Sequence, residues 1–323
     1  MDSHLARRTP QPSLPNLAKA PRNGAPAGAP SPLALIAFPV GIGAPDPGCA
    51  KGPDALLAHG LEWRLRTRKR TVEVIRLGPL STPARGSGAT SPTTTIRHHA
   101  ERLASTVAEC IRRGYQPLVL GGDHTCAIGT WKGAAQAVAH RGSIGLVWLD
   151  AHLDAHTPFT TPSGMIHGMP LAVLLGHGDP RLVGLAQGAG IDPRHLCLVG
   201  VRSFEGEESA LLASLGVRII QMAEIDARGL AATLREAIKI ASGAPGGWGV
   251  SLDLDVLDPL DAPGVGSPVA NGLEPQELIK SIAGIAMDPG FLGAEISEYN
   301  PELDPKGTTS RVAEALLVSI FSN

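Results

Sequence analysis

The sequence predicts an α/β protein, a parallel β-sheet with helices on both faces and three layers in all. From about residue 116 onward, short apolar runs alternate with helix-length segments, the pattern of repeated strand–helix–strand units. Runs such as Ser143-Ile144-Gly145-Leu146-Val147-Trp148-Leu149 are nearly continuously apolar, as strands buried on both faces must be. Histidines and carboxylates gather directly after three of those runs, and open parallel sheets form their sites outside the carboxyl ends of strands.

Residues 1–32 are rich in Pro, Ala, Gly and Ser and lack periodicity, so a disordered leader is expected before a single domain over 33–323. Leu33 to Val40 reads as a buried strand, and Gly52-Pro53-Asp54-Ala55-Leu56-Leu57 opens a helix with proline in its first turn. Thr71 to Leu77 is a second strand. Ser81 to Thr95 is low-complexity and predicts a mobile loop. A helix follows from about Thr95 to Arg113, with Leu103, Val107, Cys110 and Ile111 at helical spacing. Strands are then expected at 116–120, 143–149, 195–199, 217–221, 248–254 and 291–296. Helices are expected at 127–141, from 169 to about 175, and at 207–215, 230–241, 275–287 and 309–321.

Composition excludes several classes. With 323 residues, 43% of them hydrophobic, the chain can build one large α/β domain or two smaller ones. The 28 basic and 30 acidic residues nearly balance, so bulk charge points to no nucleic acid or membrane surface. The short basic stretches Arg64 to Arg70 and Arg112-Arg113 are expected to be solvated faces. Cys49, Cys110, Cys126 and Cys197 show no metal-binding spacing and suit a reduced, cytoplasmic protein. Arg7 and Arg8 have no apolar segment behind them, so no secretory signal is expected. No apolar run approaches the ~20 residues of a membrane span.

The chemistry lies in three pieces. Asp150-Ala151-His152-Leu153-Asp154 follows one strand and Asp253-Leu254-Asp255 another. In extended chain, residues two apart share a side, so each piece presents its polar groups together. Gly121-Gly122-Asp123-His124-Thr125 follows a third strand and delivers His124 to the same edge. Any one aspartate alone reads better as a turn or helix-cap residue. The set His124, Asp150, His152, Asp154, Asp253 and Asp255 exceeds the four ligands usual for one zinc ion. It suits two divalent ions ~3.5–4 Å apart. Oxygen-rich ligation with some imidazole favours Mn²⁺, with Ni²⁺, Co²⁺ and Fe²⁺ also compatible. The expected class is a metal-dependent hydrolase.

These three pieces, with Gly52-Pro53-Asp54-Ala55-Leu56 and Glu298-Tyr299-Asn300-Pro301, resemble the signatures of the arginase/agmatinase ureohydrolases from about Leu33 to Phe321. The resemblance implies one α/β domain with an eight-stranded parallel sheet, a binuclear Mn²⁺ site and a homotrimer or homohexamer. It implies that His124, Asp150, Asp154 and Asp253 hold one ion. Asp150, His152, Asp253 and Asp255 would hold the other, with Asp150 and Asp253 bridging. A hydroxide shared by the ions would attack the guanidinium carbon of a small substrate, giving urea and an amine. His167 resembles the family's proton-shuttling histidine, and a loop or packing role is the alternative. Glu298 resembles the glutamate that grips the guanidinium, and a surface residue before a turn is the alternative. Asp154 counts among the catalytic residues as well as the ligands. Asp123 is expected either to orient His124 or to stabilise the turn.

The stretch His156-Thr157-Pro158-Phe159-Thr160-Thr161-Pro162-Ser163-Gly164 resembles the loop with which arginases hold the substrate α-carboxylate. Thr161 and Ser163 match by position, which favours L-arginine, cleaved to urea and L-ornithine, over agmatine. The chain departs from the family pattern where His156 and Met165 replace asparagines and where Ser203 and Glu205 replace aspartates. Glu205 and Glu208 remain as groups for the α-ammonium. Guanidinobutyrate, guanidinopropionate, agmatine and guanidine are therefore rival substrates. A deacetylase of similar fold and a non-catalytic relative are the competing classes, and the complete ligand set argues against both.

Overall fold

In the computed structural model, residues 30–67, 70–78, 91–185 and 190–322 are described. Most of the expected leader (1–29), most of the expected mobile loop (81–90), and Arg68 and Lys69 lie outside them.

Eight strands form one sheet: β1 Leu33–Phe38, β2 Val72–Arg76, β3 Gln116–Gly121, β4 Ile144–Leu149, β5 Ile191–Val201, β6 Arg218–Gln221, β7 Trp248–Asp253 and β8 Phe291–Ser297. Their order is β2-β1-β3-β8-β7-β4-β5-β6, and every pair is parallel. The five strands β1, β3, β4, β7 and β8 are buried along their whole length, whereas β2 and β6 at the edges are partly exposed.

Alternate residues of each strand feed two apolar layers. Leu118, Leu120, Val147, Leu149, Val250 and Leu252 face one cluster. Val119, Leu146 and Trp148 face the other. The first layer is covered by α1 (Gly52–Ala58), α2 (Leu61–Arg66), and three later helices at Leu230–Ser242, Pro275–Ser281 and Thr308–Ile320. The second is covered by α3 (Pro92–Arg112), α4 (Cys126–Ala137), α5 (Pro170–Leu174) and a helix at Gly206–Ser214. The three-layer expectation and the eight strands are both met.

Several local expectations need correction. The helix expected from Thr95 starts at Pro92, because Ser91 caps it by accepting the Thr94 N–H at 3.3 Å. The helix expected over 275–287 ends at Ser281, and Gly284 turns left-handed before a short 3₁₀ turn at Ile285–Met287. Helices at Leu61–Arg66, Pro180–Val183 and Met222–Arg228 were not anticipated; each has seven residues or fewer, too short for a clear period. Arg70 is not part of a solvated face. It is buried, donates to the Phe321 carbonyl, the Ser31 carbonyl and the Gln116 side chain, and lies 5.4 Å from the Phe321 ring centroid.

Candidate metal centre

The carboxyl ends of four adjacent central strands, β3, β8, β7 and β4, carry every group of the expected ligand set and Glu298. At the end of β3, the Asp123 N–H donates to the Val40 carbonyl at 2.8 Å. A Cβ on Gly122 would lie 2.0 Å from that same oxygen, so only glycine allows the approach that turns His124 inward.

His124 Nδ1 is buried and has no hydrogen-bond partner, yet it faces Asp154 at 2.9 Å, Asp253 at 3.1 Å and Asp150 at 3.3 Å. His152 Nδ1 lies 3.0 Å from Asp255 and 3.5 Å from Asp150. Asp150 thus belongs to both groups. One oxygen of Asp253 is tied down by the Asp255 N–H at 2.9 Å, and one of Asp255 by the Ala151 N–H at 3.2 Å. Their other oxygens face the imidazoles. Asp150 accepts from the His152 N–H at 2.7 Å and the Trp148 indole at 2.9 Å.

Electrostatics point the same way. Burial, and then the charges of Asp255 and Asp150, push the Asp253 carboxyl well above its ordinary range. Burial and the charge of Asp150 push Asp154 up to about 6. Buried carboxylates held this close either take up protons or take cations among them. The donor set fits: an orphaned imidazole nitrogen and two groups joined by the shared Asp150 carboxylate could hold two divalent ions.

Around this cluster, Glu298 Oε1 accepts the His124 N–H at 2.9 Å and faces His167 Nδ1 at 3.1 Å. Asp154 and Glu298 both adopt positive φ, 49° and 64°, conformations rare for non-glycine residues. Such strain persists where surrounding structure imposes it, often at functional sites. Asp123 does not touch the His124 imidazole. It accepts from Gly43 N–H at 2.6 Å and from Thr125, so it stabilises the turn, as its alternative reading held.

The structure brings His156, Glu205 and Glu208 together: His156 Nε2 lies 3.0 Å from Glu205 and 3.3 Å from Glu208. Both glutamates also close a capping box at the start of the Gly206–Ser214 helix, and Glu208 accepts the Ala155 N–H at 2.9 Å. Thr161 and Ser163 lie on the loop surface, where their hydroxyls accept the Gly164 and Met165 N–H groups.

Comparison with known proteins follows the same outline. Residues 31–322 match the family model described as "Arginase family". The chain belongs to the arginase family. A relative described as arginase from Bacillus caldovelox is 38% identical over 295 residues, covering 90% of this chain and 98% of its own.

 

The solved structure of the Bacillus caldovelox arginase superposes with a TM-score of 0.82 at 36% identity, covering 91% of this chain and 99% of that one. An arginase from Entamoeba histolytica, solved in complex with L-ornithine, superposes with a TM-score of 0.81 at 26% identity, over 90% of this chain and 98% of that one. This arginase-family chain is accordingly a hydrolase with a metal-ligand cluster at the carboxyl ends of its central strands.

Three residues of this site, Ser251, Glu295 and Arg202, were not among those singled out from the sequence. Ser251 lies 2.9 Å from His124 Nε2, and Glu295 Oε1 accepts the Ser251 hydroxyl at 2.7 Å. Their signal was available, because Ser251 precedes Asp253 by two residues and shares its side of β7. Arg202 donates to six backbone carbonyls, among them Asp255 at 2.7 Å and Val269 at 2.7 Å. Nothing local in the sequence marks an arginine that acts through main-chain oxygens.

Proposed function

We propose that this protein hydrolyses the guanidino group of L-arginine to urea and L-ornithine, using two Mn²⁺ ions. The observation that carries the reading is the orphaned, buried His124 Nδ1 facing three carboxylates, one of which also serves the His152 group. His124, Asp150, Asp154 and Asp253 would hold one ion, and Asp150, His152, Asp253 and Asp255 the other. When bound, such a pair lowers the pKa of water and stabilises developing negative charge. L-ornithine in the Entamoeba histolytica relative supports the choice of product.

The chain's own residues supply the rest. Glu298 presents a carboxylate suited to paired hydrogen bonds with a planar guanidinium. His167, beside it at 3.1 Å, holds a proton for the departing amine. Asp154, which has a positive φ, would accept a hydrogen bond from the attacking water in this reading. His156, Glu205 and Glu208 form the polar group we assign to the substrate's α-ammonium end, with Thr161 and Ser163 toward the α-carboxylate. The family resemblance extends the proposal to a homotrimer or homohexamer. The four free, buried cysteines support a reducing, cytoplasmic setting.

A second reading keeps the chemistry and changes the substrate. His156 is already engaged by Glu205 and Glu208, and Met165 offers no donor to a carboxylate. Those two features favour another guanidino compound. Urea release by the Mn²⁺-loaded protein, compared across L-arginine, agmatine, guanidinobutyrate, guanidinopropionate and guanidine, decides between them. No urea from any of these, with two ions bound, would overturn both readings.

A further inference from the structure

Ser251 on β7 and Glu295 on β8 are register partners, both wholly buried, and neither belongs to the proposed ligand set. The Ser251 hydroxyl donates to Glu295 Oε1 at 2.7 Å. The Trp131 indole donates to the same oxygen at 2.7 Å. A carboxylate accepts, so the serine hydrogen is committed to Glu295. The serine oxygen then has only acceptor capacity left for His124 Nε2, 2.9 Å away. Nε2 must carry a proton, so in the neutral imidazole that a cation requires, Nδ1 is the nitrogen that carries the lone pair. Nδ1 is the atom without a hydrogen-bond partner, facing Asp150, Asp154 and Asp253. The opposite tautomer would set two lone pairs against each other at Ser251 and point an N–H where a cation would bind.

The surroundings fix this chain of contacts. The Trp131 ring lies over Gly249, where a Cβ would come within 2.3 Å of it. The His124 ring stacks on Trp148 with centroids 4.5 Å apart.

We propose that Ser251 and Glu295 are positioning residues that set the His124 tautomer and so govern how tightly the ion beside His124 is held. The proposal rests on His124 being a metal ligand. Groups behind metal-bound histidines typically contribute about 10–100-fold in metal affinity.

The test titrates metal-stripped, full-length protein with MnCl₂ by calorimetry and counts bound ions by atomic emission. Wild type, Ser251→Ala, Ser251→Thr and Glu295→Gln are compared. Two ions are expected in wild type, with one of the two sites weakened about 10–100-fold in Ser251→Ala and the other unchanged. Ser251→Thr should restore the weakened site, and Glu295→Gln should fall between. Unchanged affinity at both sites in Ser251→Ala, whatever its thermal stability, would overturn the proposal. Fewer than two ions in wild type would remove the two-ion reading itself. If Ser251→Ala does not fold, ¹⁵N NMR of Zn²⁺-loaded wild type still decides: a proton on His124 Nε2 is expected, and one on Nδ1 overturns the proposal.

Discussion

His167 Nδ1 and Glu298 Oε1 lie 3.1 Å apart, joining two loops 131 residues distant in the chain. Burial alone would lower the His167 pKa, but the Glu298 hydrogen bond and charge outweigh it and push it up to about 9. In neutral solution an imidazolium therefore lies against Glu298, the carboxylate proposed above to bind the guanidinium. Substrate would replace one cation by another and leave the displaced proton donor at hand.

Replacing His167 with alanine should leave both metal ions in place and lower turnover by about 10²-fold, the usual scale of positioned proton transfer. Metal analysis and steady-state rates check this, and unchanged turnover would remove the shuttle role. The pH dependence has a definite sign. A histidine whose folded pKa is raised from 6.5 to about 9 stabilises the fold fully below about 6.5 and loses that effect as pH rises through 9. In denaturant unfolding of the metal-free proteins, the wild-type advantage over His167→Ala should shrink from pH 6 to pH 10. An advantage that grows over that range contradicts the pairing.

Asp150 serves both imidazole groups. Asp150→Asn should weaken binding of both ions together and abolish most activity, because one substitution removes a negative charge common to two sites. Atomic emission after dialysis measures it. Two tightly retained ions in this variant would show that the carboxylate is not shared.

Arg202 gathers the carbonyls of Gly200, Asp255, Val256, Leu257, Val269 and Ala270. Arg202→Met keeps much of the aliphatic stem but leaves those acceptors without their donor. A loss of roughly 2–4 kcal/mol in unfolding free energy is expected, given the worth of hydrogen bonds to a charged group. Mn²⁺ affinity should fall as well, because the same contacts hold the segment carrying Asp255. Equilibrium denaturation with parallel metal titration measures both, and stability equal to wild type would sink this account.

Met165 stands just before the short turn at Ile166–Gly168 that carries His167. Met165→Asn adds an amide donor at a half-buried position beside the proposed α-carboxylate subsite. KM for L-arginine should fall about tenfold, the effect of roughly one hydrogen bond to a charged group. An unchanged KM would favour a native substrate without that carboxylate.

The central sheet is legible in the sequence because strands buried on both faces, such as Ile144–Leu149 and Trp248–Asp253, cannot alternate with polar residues. The ligand cluster is legible because residues two apart at a strand end share a side, as Asp253 and Asp255 do. The short helix at Met222–Arg228 was hidden because it spans barely two turns and runs almost directly into the next helix. Ser251 and Glu295 were hidden for a different reason. Their role depends on which strands become neighbours, and β7–β8 pairing is a property of topology, not of either local sequence. Arg70 was misread because its companions at 64 and 66 are exposed, whereas its partners come from Ser31, Gln116 and Phe321.

The strand order carries a consequence for biosynthesis. β8, the last strand along the chain, lies between β3 and β7. Until residues 291–297 leave the ribosome, β2-β1-β3 and β7-β4-β5-β6 have no strand to join them, and Glu298, the residue directly after β8, has not emerged. His124 on the first half and Asp150 on the second then have no common framework. A nascent chain stalled before β8 would expose two unpaired central strand edges, the kind of surface that aggregates or recruits chaperones. A metal centre built from both halves would therefore have to wait until one late strand zips the two half-sheets together.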